Sequence, residues 1–95
     1  MDININHDKE AQEFTAQLED DQAELAYSLP GDDVIDFQHT FVPEEFRNEG
    51  VANQLIQTGL DYAKEQNFKV IASCPAVSAY VRRHQEYQSL LKNLM

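Results

Sequence analysis

The sequence predicts an α+β fold: a mixed sheet, built from an antiparallel meander followed by a βαβ crossover, with helices packed on its faces. Three observations predict it. Apolar and polar residues alternate through the first forty positions, the apolar spacing changes to three and four beyond Pro43, and a short apolar run then stands at residues 69–73. The meander comes first. Phe14, Ala16 and Leu18 alternate with polar neighbours, and Glu19-Asp20-Asp21-Gln22 supplies a turn. Ala23, Leu25, Tyr27 and Leu29 continue the two-residue period as far as Pro30-Gly31. There Pro fixes φ and Gly accepts φ > 0, so the run is expected to break. Val34 to Val42 forms a third strand with Ile35, Phe37, His39 and Phe41 on one face, and Ile3 with Ile5 adds a short edge strand.

From Val51, the residues Ala52, Leu55, Ile56, Gly59, Leu60 and Ala63 recur at helical spacing, the stripe of a helix lying on a sheet. Gly59 costs about 1 kcal/mol of helix propensity, but it lets helix and sheet approach closely. Asn67 ends the helix, since Asn tolerates the left-handed cap position. Lys69-Val70-Ile71-Ala72-Ser73 is a buried strand, parallel to strand 34–42 and reached by a right-handed crossover. Pro75 opens a second helix with Ala76, Val77, Tyr80, Val81 and His84 on its inner face, and Leu90, Leu91 and Leu94 predict a short C-terminal helix.

A chain of 95 residues with 42% hydrophobic content is expected to be one domain spanning 1–95. No apolar run approaches the ~20 residues of a membrane span, and Met1-Asp2-Ile3-Asn4 lacks the start of a signal peptide. The lone cysteine points to a reduced, cytoplasmic setting. The net charge of −10 argues against nucleic-acid phosphates as a partner. Its distribution is uneven: residues 1–50 hold fourteen acids and two bases, residues 51–95 three acids and five bases. Arg47, Arg82 and Arg83 all lie outside the acidic first forty residues, which suggests a local anionic ligand, although charge alone favours solvated helix ends. Few exposed apolar residues are expected outside the core, so the chain is expected to be a monomer.

Three places could carry chemistry. In Arg47-Asn48-Glu49-Gly50-Val51-Ala52 a loop enters a helix, and amides at a helix N-terminus bind phosphate oxygens. Gly50 lets the main chain approach a ligand, small Ala52 leaves room, and Arg47 adds a charged fork. The same residues also read as a helix cap with an incidental arginine. Cys74 falls where a strand ends and a helix begins, a position that favours thiolate, although lone thiols are more often buried and structural. His39, among Ile35, Phe37 and Phe41, reads as a core histidine or as a proton acceptor. His7, His39, His84 and Cys74 have no zinc-ligand spacing, so no metal is expected.

Together these pieces resemble the GNAT superfamily of acyl-CoA-dependent N-acetyltransferases, and within it a short stand-alone branch. The resemblance runs from His39-Thr40-Phe41-Val42-Pro43 through the loop Arg47 to Ala52, then Asp61-Tyr62-Ala63 and Lys69-Val70-Ile71, to Cys74-Pro75-Ala76-Val77-Ser78-Ala79-Tyr80-Val81-Arg82-Arg83-His84. It covers roughly residues 35–88, and the first thirty residues match only as meander strands. The resemblance implies acetyl-CoA as co-substrate. Its pyrophosphate would lie on the amides of Arg47, Asn48, Glu49, Gly50, Val51 and Ala52, and its pantetheine along Thr40, Phe41 and Val42. Arg83 is a further coenzyme contact by the same resemblance. It also implies Cys74 and His39 as a catalytic pair, with Tyr80 protonating the departing thiolate. The chain departs from the family pattern at Asn48 and Glu49, where Gly, Lys, Arg or Gln is usual, at Gln85, where the short branch often has proline, and at Ala76, where a larger apolar residue is common.

The function so implied is acetyl transfer from acetyl-CoA to an amine, either by direct attack, with His39 taking the proton, or through an acetylated Cys74. The acidic first half would attract a cationic acceptor, a polyamine or a protein lysine. Two other readings stand beside it: a module that binds acyl-CoA without turnover, and an acidic protein-interaction domain.

Overall fold

Period-two alternation commits one side of each early strand to burial, and the hairpin turns between the strands keep those sides together. The computed structural model describes residues 3–92. Strands β1 (Ile5–Asp8), β2 (Glu13–Leu18), β3 (Asp21–Gly31) and β4 (Val34–Phe41) form the antiparallel meander. Helix α1 (Val51–Glu65) crosses over to β5 (Lys69–Ala72), which pairs parallel with β4, and α2 (Pro75–Arg83) follows. The sheet order is β1-β2-β3-β4-β5. The α+β class and the crossover stand as the sequence predicts.

The turn between β3 and β4 does not. It lies at Asp32-Asp33, and Pro30 and Gly31 belong to β3. A register shift between Ser28 and Gly31 takes Pro30 out of the regular ladder, where its missing N–H would otherwise break a bond. At the β2–β3 turn Glu19 itself takes positive φ, 50°.

A second irregularity governs the site. Tyr27 pairs with Phe37, but the preceding residue, Ala26, pairs with His39, so Gln38 is an extra residue on β4. Such a bulge shifts the two-residue phase by one. Ile35 and Phe37 are fully buried, yet His39 and Phe41 are exposed and face outward beside Ala26 and Glu24. Thr40, opposite Leu25, takes the inward side instead. His39 is therefore not a core histidine.

Helix α1 buries Val51, Leu55, Ile56, Gly59, Leu60 and Ala63. A Cβ at Gly59 would stand 2.9 Å from Phe37 Cε1 and 3.0 Å from Leu25 Cδ2, so the helix rests directly on those two side chains. Asn67 ends it at φ 60°, and the Phe68 N–H donates to the Ala63 carbonyl at 2.9 Å. In α2, Val77, Tyr80 and Val81 are buried and His84 is half-buried, but Ala76 is exposed rather than inward. The expected C-terminal helix is a 3₁₀ segment, Gln85–Leu90, tied to α1 by the Tyr87 hydroxyl donating to Asp61 at 2.6 Å. Leu91 instead bridges Val70 in parallel, and the Lys92 N–H donates to the Val70 carbonyl at 2.8 Å. Leu94 lies outside the described residues.

The buried residues of α1, α2 and the inward side of the sheet form one core. Outward positions are a different surface: Glu13, Thr15, Glu24, Ala26, Ser28 and Asp36 are only half-buried.

Candidate functional site

At the entry to α1 the chain makes a 3₁₀ turn over Glu44–Phe46 and then two left-handed residues, Asn48 at φ 73° and Gly50 at φ 79°. Asn is the non-glycine residue most at ease there, so position 48 takes the left-handed conformation at little cost. Gly50 is the N-cap and no side chain caps the helix. The first intrahelical bond runs from the Gln54 N–H to the Gly50 carbonyl, leaving the amides of Val51, Ala52 and Asn53 without helical acceptors at the positive end of the dipole. These residues, with Val42, Phe46, Arg47, Asn48 and Gly50, line a cavity of about 270 Å³. A Cβ on Gly50 would meet nothing of the protein within 4 Å, so the space beside it is open. Arg47 is braced, its Nε donating to the Val42 carbonyl at 3.1 Å. Glu49 is exposed and outside the lining, so its carboxylate does not close the cradle. Phe46 and Asn53, which sequence reasoning passed over, belong to the wall. The sequence signal for Asn53 is its place as the third residue of α1, directly after Val51 and Ala52.

On the other side of α1, β4 and β5 part. Their pairing runs from Val34–Lys69 to Phe37–Ala72, and the Cys74 N–H donates to the Phe37 carbonyl at 2.8 Å. Beyond that, β4 continues to Phe41 while the chain turns at Cys74 into α2, so Gln38–Phe41 keeps β3 on one edge only. Cys74 is 5% exposed at the helix N-cap, and its Sγ lies 3.2 Å from Thr40 Oγ1. The expected pair is thus not brought together: the bulge gives Cys74 a threonine partner and turns His39 to the opposite face of the sheet. Among the described residues the His39 ring has no hydrogen bond. The gap consequently has Cys74 and Thr40 on its helix side and His39 on its open side.

Tyr80 stands apart, 5% exposed, stacked on His84 with ring centroids 3.9 Å apart and neighbouring Tyr87. Burial, then the nearby carboxylates of Glu86 and Asp61, push its hydroxyl up, so it holds its proton at neutral pH. Arg83 is exposed at the far end of α2, outside the loop cavity. Among the described residues no group of three or more His, Cys, Asp or Glu could hold a metal ion. No helix among them is long and apolar enough to cross a membrane.

Residues 13–90 match the family of GCN5-related N-acetyl-transferases. Among curated proteins the chain is 33% identical over 84 residues to Protein NATD1 of Gallus gallus, covering 86% of this chain and 76% of that protein. Against Protein NATD1 of Homo sapiens it is again 33% identical over 84 residues, covering 86% and 74%. Among solved structures, the solution NMR structure of a GCN5-like protein from Staphylococcus aureus superposes with a TM-score of 0.76 at 26% identity, covering 97% of this chain and 90% of that one.

Proposed function

The chain belongs to the GCN5-related N-acetyltransferase family, and from that premise we propose that residues 1–95 act as one acyl-CoA-binding domain that moves an acetyl group from acetyl-CoA to an amine by direct attack. The observation that carries this version is the placement of Cys74 and His39 on opposite faces of the β4–β5 gap. A histidine that activated Cys74 would have to lie on its side. A histidine that deprotonates an incoming amine is better placed on the open side, where an acceptor has access.

The amides of Val51, Ala52 and Asn53 and the Arg47 guanidinium suit the coenzyme pyrophosphate, with small Gly50 and Ala52 leaving room for it. Unpaired main-chain groups on the free edge of Gln38–Phe41 suit the pantetheine amides and polarise the thioester carbonyl. His39, exposed, accepts the proton of the attacking amine as the new C–N bond forms. The C–S bond breaks, and the coenzyme thiolate leaves and takes a proton from solvent, because Tyr80 lies apart from the gap and burial holds its hydroxyl proton. Calorimetric titration with acetyl-CoA tests the first half of the reading and is expected to give saturable one-to-one binding. A flat trace at millimolar ligand would overturn it and leave the protein-interaction reading.

The acyl-cysteine route has one observation in its favour, the Thr40 hydrogen bond to Cys74 at a helix N-cap. Intact-mass measurement after incubation with acetyl-CoA alone decides between the two. Direct attack predicts no gain of an acetyl group at Cys74. Binding without transfer to any amine would instead mark an acyl-CoA sensor.

A further inference from the structure

We propose that the outward face of the β1–β4 meander is a docking surface for a basic polypeptide segment, whose lysine is delivered to His39 in the β4–β5 gap. The proposal rests on the acetyl-transfer reading of that gap and adds the identity of the acceptor and its direction of approach.

Charge is the first argument. Strands β1, β2, β3 and β4 contain no lysine or arginine, while Asp8, Glu13, Glu24 and Asp36 belong to them. Ladder pairing lines these residues up. Asp8 is opposite Glu13, Glu13 is opposite Ala26, and Ala26 is opposite His39, so one row crosses four strands and ends at the histidine. The next row runs Asn6, Thr15, Glu24, Phe41. At ~4.8 Å per strand, the carboxylate of Glu13 stands about 10 Å from His39 along the row. Glu13 and Glu24 are close enough to share a hydrogen bond, and the Glu13 carboxyl is pushed up by burial and then by Glu24 and Asp8. Further along the face, Asp36 keeps a buried Oδ1 without a partner. A cation laid along Glu13 and Glu24 offsets the repulsion between their carboxyl groups.

Shape decides between a polymer and a small amine. Small ligands are held in concavities that enclose most of their surface. The cavities at the start of α1, along β1 and β2, and between β5 and α2 do not include His39 in their walls. The surface leading to His39 is the pleated face itself, with small Ala26 as its floor and Phe41, 41% exposed, at its end. The concavity on this face, lined by Asp8, Lys9, Glu13 and Thr15, lies on β1 and β2, two strands away from His39, so a small cation held there does not reach the histidine while an extended basic segment spans both.

The test is nitrogen-15 chemical-shift mapping at low salt without acetyl-CoA, using a short capped peptide of alternating lysine and serine. Saturable shifts are expected at Thr15, Ala26, Gln38 and His39, with affinity falling about tenfold in the Glu13→Gln/Glu24→Gln double variant and lost when the lysines are Nε-acetylated. The double variant removes a repulsion, so an unchanged spectrum of the free protein shows that it folds. Absence of saturable shifts, shifts centred on α1 or α2, or equal affinity in the double variant would overturn the proposal. So would spermidine binding the same residues as tightly as the peptide. Acetyl-CoA titration on the same sample keeps the two readings apart. Peptide binding with no coenzyme binding breaks the transfer reading alone, and coenzyme binding with no peptide binding breaks the docking surface alone.

Discussion

The two halves of β4 are four residues each and are built on opposite terms. Val34–Phe37 has β3 on one edge and β5 on the other, with Ile35 and Phe37 fully buried under α1. Gln38–Phe41 begins with a bulge, keeps one paired edge and presents His39 and Phe41 to solvent. The first half anchors the sheet. The second is left with unpaired main-chain groups and side chains aimed both ways, which is what the proposed transfer between substrates arriving from opposite faces requires. One residue, Gln38, separates the two regimes.

Breaking the first half should break everything. Phe37→Ala removes the ring on which Gly59 sits and is expected to cost about 3–5 kcal/mol, read as a lower urea midpoint together with loss of every ligand response. Breaking the second half should spare the fold. His39→Ala is expected to lower the rate of acetyl transfer by about 10²–10⁴ with thermal stability and acetyl-CoA affinity unchanged, because the ring is exposed and free of hydrogen bonds. Gly50→Asp acts at the loop rather than on β4. It puts a carboxylate beside the free amides and a side chain at φ 79°, and should weaken acetyl-CoA binding by at least ~10-fold in calorimetry, against a stability loss of about 1–2 kcal/mol. Thr40→Val sharpens the contrast further. Stability should move by about 1 kcal/mol or less, while the rate of Cys74 alkylation by iodoacetamide changes and Thr40→Ser restores it.

The smallest effect lies farthest from β4. His7 packs its ring 4.1 Å from Phe14 and bonds the Tyr27 hydroxyl at 2.6 Å, and burial, helped by Lys9, lowers its pKa below 6.5. The neutral ring is the one the fold accommodates. Its contribution is complete above pH 6.5 and is lost as pH falls through the lowered value, because the unfolded chain then binds the proton more tightly. Urea midpoints compared between pH 7 and pH 5.5 should show this fall, and His7→Phe should remove it.

Much of this was legible in the chain. The α1 stripe, Gly59 as a contact point, Asn67 as a stop and Pro75 as a start each follow from a local rule that tertiary packing did not override. The bulge was not legible, because Ile35, Phe37, His39 and Phe41 alternate without a fault and the sequence carries no mark where the ladder slips. A phase defined by pairing with β3 is a property of two strands, and one strand's pattern cannot report it. The same reason hid the Thr40–Cys74 contact, which depends on that phase. Pro30-Gly31 misled in the other direction. A proline at a bulged strand end looks the same in sequence as one in a turn, and Asp32-Asp33 makes an equally good turn two residues later. The loop at Arg47 was legible because its chemistry is local: a helix N-terminus needs only its own amides.

The bridge from Leu91 to Val70 has a consequence for self-association. With the Lys92 amide also bonded to Val70, the C-terminal segment occupies the outer side of β5, and β1 is left as the sheet edge without a neighbouring strand among the described residues. Pairing of a second strand along β5 would first require Leu91 and Lys92 to peel away from Val70, whereas β1 could be extended without displacing any part of the described chain.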